Sequence, residues 1–280
     1  MLRFLFACAL VVYCVGATRA AAPPSEVRYG LTATEFEAAS KDLADKGYYL
    51  IQTSATLVGK EVRFAAVWEK HQDWPDRKAQ HNLTTKQYAD TTAELKEKGY
   101  RPVDVCGYEM NGEARFVAIW EKEPKDAPAR EARHDLTSND FRKLYTELTN
   151  KGYRPLRING YTIGQKTRYA TIWEKELKGA PLWHMRRDLT PGQYQQVFDE
   201  QVEKQFRLVH VVGYTIDGEE RFAGIWEKST GPVWYAHHAL DANEYEKSNA
   251  NLNKQGYRQV QISGYSVGGK LRYAGLWLKE

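Results

Sequence analysis

The sequence predicts an α+β protein built from five tandem β-α-β-β units of about 52 residues, each an antiparallel hairpin with one helix. Two periodicities and one recurring phrase predict it. Trp68, Trp120, Trp173, Trp226 and Trp277 are spaced 52, 53, 53 and 51 residues apart. Leu31, Leu83, Leu136, Leu189 and Leu240 keep the same spacings, and a fixed period of this size marks a repeat architecture. Between them a phrase such as "GYEMNGEARFVAIWEK" (107–122) returns with almost no insertion or deletion. The units read as about 26–70, 78–122, 131–175, 184–228 and 235–280.

The chain opens differently. "MLRFLFACALVVYCVGATRA" places Arg3 before an apolar run from Phe4 to Val15, then small residues at Ala17 and Ala20. That is the layout of a secretory signal peptide over residues 1–20, leaving 21–280 as the repeat domain of a secreted, extracellular or periplasmic protein. The run is too short to span a bilayer, and no later stretch approaches eighteen apolar residues. Cleavage would remove Cys8 and Cys14 and leave Cys106 as the one thiol, so no internal disulfide is expected. Stability must come from burial, and 8 Trp, 18 Tyr and 9 Phe supply the material. Loss of Arg3 and Arg19 lowers the formal charge from +4 to +2, and no Lys/Arg block gives the footprint of a nucleic-acid binder.

A short segment before each leucine, such as "LWHMRRDL" ending at Leu189, reads as the first strand of its unit. The helix follows at a cap. Thr32, Thr84, Thr137, Thr190 and Asp241 stand where a side-chain oxygen accepts an orphan backbone N–H, with Glu35, Gln87, Asp140, Gln193 and Glu244 three residues later. The leucine before the cap and an aromatic at Phe36, Tyr88, Phe141, Tyr194 or Tyr245 form a hydrophobic staple. Pro191 suits a first helical position. Gly47, Gly99, Gly152 and Gly256 are left-handed stops; Gln205 is the exception.

Two strands come next. Val103 and Val105 alternate with polar residues, as do Leu156 and Ile158, Val209 and Val211, Val260 and Ile262, so each pair is expected on the helix-facing side of a half-buried strand. Gly59-Lys60, Asn111-Gly112, Gly164-Gln165, Asp217-Gly218 and Gly268-Gly269 are the residues that two-residue hairpin turns require. The last strand is apolar on both sides, with Val117 and Ile119 on one and Phe116 and Trp120 on the other. It is expected between its own helix and a neighbouring unit. With no polar capping face on either terminal copy, a ring-like or strongly curved array is expected.

The phrase "KGYRP…GY…NG…RF…IWEK", with "LT…Y" opening the helix, resembles the bacterial tandem-repeat domain, the polyglycine hydrolase-like structural repeat, over about residues 26–280. In fungal polyglycine hydrolases similar repeats precede a serine β-lactamase-like domain with a Ser-x-x-Lys nucleophile. None of the eight serines here has a lysine three residues later. The resemblance therefore implies the non-catalytic half, without cofactor or hydrolase activity.

Candidate chemistry is thin. Cys106 lies on a strand with no helix N-terminus to lower its pKa, and reads as a tolerated small side chain rather than a nucleophile. His81, His134 and His238 share one repeat position with Arg187 and Tyr29, which suits hydrogen bonding or stacking at a unit boundary better than a metal site. Arg63, Arg115, Arg168, Arg221 and Arg272 recur in every unit, with Glu69, Glu121, Glu174 and Glu227 six residues on, and read as structural. Asn82-Leu83-Thr84 has the form of a glycosylation sequon, though Thr84 already serves as a cap. The informative positions vary within the fixed frame: Gln52, Asp104, Arg157, His210 and Gln261 share one site, followed on the same strand face by Tyr108, Tyr161, Tyr214 and Tyr265. Varied polar groups beside repeated tyrosines are expected to bind a ligand; a solvated sheet face is the alternative. The function expected is a secreted, non-enzymatic repeat protein that binds an extracellular polymer or partner protein. An extracellular hydrolase-like enzyme and a purely architectural surface protein are the competing classes.

Overall fold

A computed structural model describes residues 23–71 and 73–279, so the segment read as a signal peptide lies outside the described residues. The first unit consists of β1 (Ser25–Leu31), α1 (Ala33–Asp45), β2 (Tyr48–Val58) and β3 (Glu61–Lys70). The same order gives β4 (Arg77–Thr84), α2 (Thr85–Glu97), β5 (Tyr100–Met110) and β6 (Glu113–Lys122), then β7 (Arg130–Leu136), α3 (Ser138–Asn150), β8 (Tyr153–Ile163) and β9 (Lys166–Lys175). The fourth unit has β10 (Trp183–Leu189), α4 (Pro191–Glu203), β11 (Arg207–Ile216) and β12 (Glu219–Glu227). The fifth has β13 (Val233–Asp241), α5 (Ala242–Lys254), β14 (Arg258–Val267) and β15 (Lys270–Lys279). Each unit is a three-stranded antiparallel sheet with its last strand in the centre, as in the order β1-β3-β2, and the five sheets are separate.

The local signals act as read. All five helices run thirteen residues and begin in a complete capping box, Asp140 serving as well as the longer Glu and Gln. All five stop at a left-handed residue, and Gln205 adopts φ +64° where the other units use glycine. That strain is tolerated because the Gln205 amide still closes onto Val202 O at 2.9 Å. Asn111-Gly112, Asp217-Gly218 and Gly268-Gly269 have positive φ at both turn residues. Gly59 and Gly164 have it only at the first.

Two bulges per unit depart from regular alternation. The residue before each periodic leucine has positive φ: Gly30, Asn82, Asp135, Asp188 and Ala239. There the register of the first strand slips, as between Gln80 and Leu83, and the chain turns into the capping box. The second bulge falls between Leu50 and Gln52, Pro102 and Asp104, Pro155 and Arg157, Leu208 and His210, and Gln259 and Gln261. It corrects the expectation that Val103 and Val105 share the helix side. Val105 packs with Tyr88, Leu95 and Trp120 of its own unit, whereas Val103 joins the cluster around Phe36 and Trp68 of the first.

The core is divided among the junctions. Phe64, Ala66 and Trp68 pack with α1 on one face of the first sheet and meet Val117 and Ile119 from the second. Phe116, Ala118 and Trp120 repeat this with α2 against Ala170 and Ile172 of the third, as expected for a strand covered on both faces. Equivalent clusters join the third unit to the fourth and the fourth to the fifth. A fifth cluster places Ala65 and Val67 of the first unit against Tyr245, Leu252 and Trp277 of the last. All five periodic tryptophans are fully buried in these layers.

Candidate functional site

The hairpin strands β2, β5, β8, β11 and β14 contact one another in sequence, and β14 contacts β2. Because each sheet is separate, these neighbours share no backbone ladder, and their facing N–H groups need acceptors from side chains. The variable row supplies them. The Thr53 amide donates to Asp104 Oδ2 at 2.8 Å, the Val211 amide to Gln261 Oε1 at 3.0 Å, and the Ile262 amide to Gln52 Oε1 at 2.9 Å. Between the third and fourth units His210 does the linking. Its Nε2 donates to Ile158 O at 2.7 Å, while the Gln261 amide group donates to Nδ1 at 2.5 Å. Between the second and third, Arg157 lies 3.4 Å from Asp104 Oδ1.

Two residues on, the pattern repeats with other chemistry. The Gly107 amide donates to Asn159 Oδ1 at 2.8 Å, Gly213 to Ser263 Oγ at 3.0 Å, and Gly264 to Ser54 Oγ at 2.9 Å. The Ala55 amide meets Cys106 Sγ at 3.3 Å. Val212 offers no acceptor and fills its place with packing.

The third row is aromatic. Tyr161, Tyr214 and Tyr265 lie flat against Gly107, Gly160 and Gly213 of the preceding unit, where an added Cβ would stand 2.5, 2.6 and 2.3 Å from the ring. Their hydroxyls reach the bulges: the Asp188 amide donates to Tyr214 Oη at 2.8 Å, the Asp135 amide to Tyr161 Oη at 3.2 Å. Tyr265 instead donates to Glu220 at 2.6 Å.

The residues expected to offer a ligand-binding face therefore lie within the junctions. Gln52, Asp104, His210 and Gln261 are buried, as are Tyr108, Tyr161, Tyr214 and Tyr265; Arg157 is half-buried. Gln52, Asp104 and Gln261 are alternative acceptors, of different length, for equivalent backbone amides, whereas His210 donates to a carbonyl and Arg157 pairs with Asp104. What stays open is the hairpin end of the strands. There a cavity of about 270 Å³ is lined by residues of all five units, among them Thr56, Tyr108, Tyr161, Tyr214, Tyr265 and Ser266.

Burial sets the protonation states. It pushes the Asp104 carboxyl up to about 6, against the opposing pull of Arg157 and the Thr53 N–H. It drives His210 down to about 3, with Arg157 adding to the effect, so the imidazole is neutral. It raises the Cys106 thiol to about 12, which keeps it protonated and poorly suited to nucleophilic attack.

At the other end of these strands lies a belt of half-buried ion pairs. Arg101 binds Glu121 at 2.8 Å, Arg154 reaches across to Glu227 at 2.5 Å, and Arg258 pairs with Glu69 of the first unit. Arg77 and Arg130 also hold Glu121. The periodic glutamates thus pair with these arginines and not with the arginine six residues earlier. Arg115 instead holds Glu113 at 2.9 Å along its own strand, and Arg168 lies 3.3 Å from Asp135.

The boundary histidines stack. His81 stands edge-on to Phe36 and Phe64, His134 to Tyr88 and Phe116, and His238 to Tyr194 and Phe222. Arg187 covers Phe141 and Tyr169 in the same way. Tyr29 of the first unit does so against Tyr245 and Tyr273 of the fifth. No group of three or more potential metal ligands occurs among the described residues. Asn82 is exposed on its bulge.

Fold and junctions together define a tandem array of one β-α-β-β unit held by side-chain-to-backbone bonds. The family model of the polyglycine hydrolase-like structural repeat matches residues 22–71, 74–123, 127–176, 180–229 and 231–280, and the chain belongs to that family. No curated protein matches it. No helix among the described residues is long and apolar enough to cross a membrane.

Proposed function

We propose that this chain is a secreted, non-enzymatic repeat protein whose five units close into a ring and which binds an extracellular polymer or partner protein at the axial cavity. The observation that carries the reading is the convergence of residues from every unit on that one cavity. Closure is supported by the bonds from Ile262 and Gly264 to Gln52 and Ser54, which repeat the bonds of the other junctions. Secretion is supported by the N-terminal stretch alone. The cavity wall combines tyrosine edges, small hydroxyls and glycine backbone, with Glu109 as its one ionisable carboxylate. Such a surface suits a neutral polar chain, whose groups exchange hydrogen bonds with the wall at little desolvation cost.

Co-sedimentation with insoluble peptidoglycan, chitin and gelatin tests the reading. Wild type is expected to be retained on at least one, and the double substitution Thr56→Arg/Ser266→Arg, at the cavity wall, to be released while melting normally. Retention of neither protein, or of both equally, contradicts it.

A further inference from the structure

A second surface lies on the flank, between α4 of the fourth unit and β13 of the fifth. Two adjoining grooves of about 710 and 490 Å³ share Val202 and Trp234 in their walls. Phe198, Tyr235 and His237 line the first, Arg207 and Val233 the second. Large apolar groups stand open here: Val202 is 43%, Tyr235 44% and Val233 61% exposed. β13 is also the outer strand of its sheet, paired on one side only with β15. An unpaired edge beside exposed apolar side chains is a template for an incoming strand.

The junction of the third and fourth units is also apolar, with Leu182 70% exposed and Tyr145 against Trp183, but that of the second and third is not. At the corresponding places between the second and third units stand Lys96, Arg130 and Glu131, and Arg130 is bound into Glu121 and Glu174. What sets the groove of the fourth and fifth units apart is its charge. Arg101, Arg154 and Arg258 each face a glutamate of the next unit. Across from Arg207 the fifth unit has Leu278 in the glutamate position, while Glu227 of its own unit is engaged by Arg154. Arg207 donates instead to Pro232 O at 3.0 Å, at the edge of the groove. The groove therefore joins an apolar trough to a cation lacking its cross-junction carboxylate.

We propose that this groove binds an extended peptide segment of a partner protein along the free edge of β13, with apolar side chains in the trough and a carboxylate at Arg207. Backbone pairing would supply affinity, the aromatic trough side-chain selection, and the guanidinium a paired charge-assisted bond. The proposal is independent of the axial cavity, whose residues lie elsewhere.

A displayed random heptapeptide library, selected on wild type and counter-selected on Tyr235→Glu, tests it. Tyr235→Glu places the residue of the third unit at an exposed site and leaves the fold intact. Enriched peptides are expected to combine apolar residues with an acidic residue or free C-terminus and to bind Tyr235→Glu at least ten-fold more weakly. Leu278→Glu, which restores the missing carboxylate, is expected to erase the acidic preference while sparing the apolar one. No enrichment over the counter-selection, or acidic preference unchanged in Leu278→Glu, overturns the proposal.

Discussion

At the junction of the fourth and fifth units the Tyr265 ring occupies the space beside Gly213, 2.3 Å from where a Cβ would stand. At the junction of the fifth and first units the corresponding glycine is Gly264, the facing residue is Thr56, and the nearest atoms to an added Cβ are at 3.5 Å. Both junctions keep the two side-chain-to-backbone bonds, through Gln261 and Ser263 in one and Gln52 and Ser54 in the other. The polar rows are therefore a fastening that both junctions share, while the tyrosine-on-glycine contact is an addition that the fifth-to-first junction does without. A junction can lose its aromatic key and keep its register, because the amides of one strand still find acceptors on the next.

The largest expected effect contrasts protonation across junctions. His210 is held neutral in the fold, well below its ordinary value, so its contribution is present above the unfolded pKa near 6.5 and is lost as pH falls towards 3. Protonating Nδ1 would also set a proton against the Gln261 amide group. Asp104, raised to about 6, works in the opposite sense: its contribution is full below its ordinary value of 3.8 and is lost as pH rises through 6. His210→Gln installs the residue that Gln52 and Gln261 already provide elsewhere. Chemical denaturation from pH 7 to pH 3 is expected to show the variant gaining on wild type by on the order of 4 kcal/mol at the acid end. Parallel curves would break the assignment.

Next is the aromatic key itself. Gly213→Ala is expected to cost about 2 kcal/mol by overpacking against Tyr265. Gly264→Ala should be neutral or stabilising by about 0.5 kcal/mol, since Ala55 already occupies that place in the first unit. Equal thermal shifts for the two variants would erase the distinction between junctions. Smaller effects come from helix ends. Gly99→Ala, at φ +74°, is expected to lose about 1 kcal/mol, and Gln205→Gly, at φ +64°, to gain about 0.7 kcal/mol, both read from melting.

Features fixed by a few adjacent residues were legible in the sequence. Caps, staples, stops and turns depend on local geometry, and Thr84 with Gln87 or Asn111 with Gly112 announces it. The bulge before each leucine carries a weaker signal: Gly30, Asn82, Asp135 and Asp188 are residue types that tolerate positive φ, and only Ala239 hides it. The candidate face was harder. The side of the strand carrying Asp104, Cys106 and Tyr108 follows from alternation, but what covers it is a neighbouring unit's backbone, and alternation does not report that. A row of unlike polar residues looks the same whether it meets solvent, a ligand or the amides of an adjacent strand. The belt arginines were equally obscure, because Arg258 and Glu69 lie 189 residues apart and meet only through the arrangement of the units.

Native-state hydrogen exchange at the first and last units reads the fastening between them. If the polar row fastens the fifth unit to the first as it fastens the others, the Ile262 and Gly264 amides will be protected to the same extent as Val211 and Gly213, and Gln52→Ala/Ser54→Ala will expose that first pair selectively. Exchange of Ile262 and Gly264 at the rate of an open strand edge in the wild-type protein would contradict it.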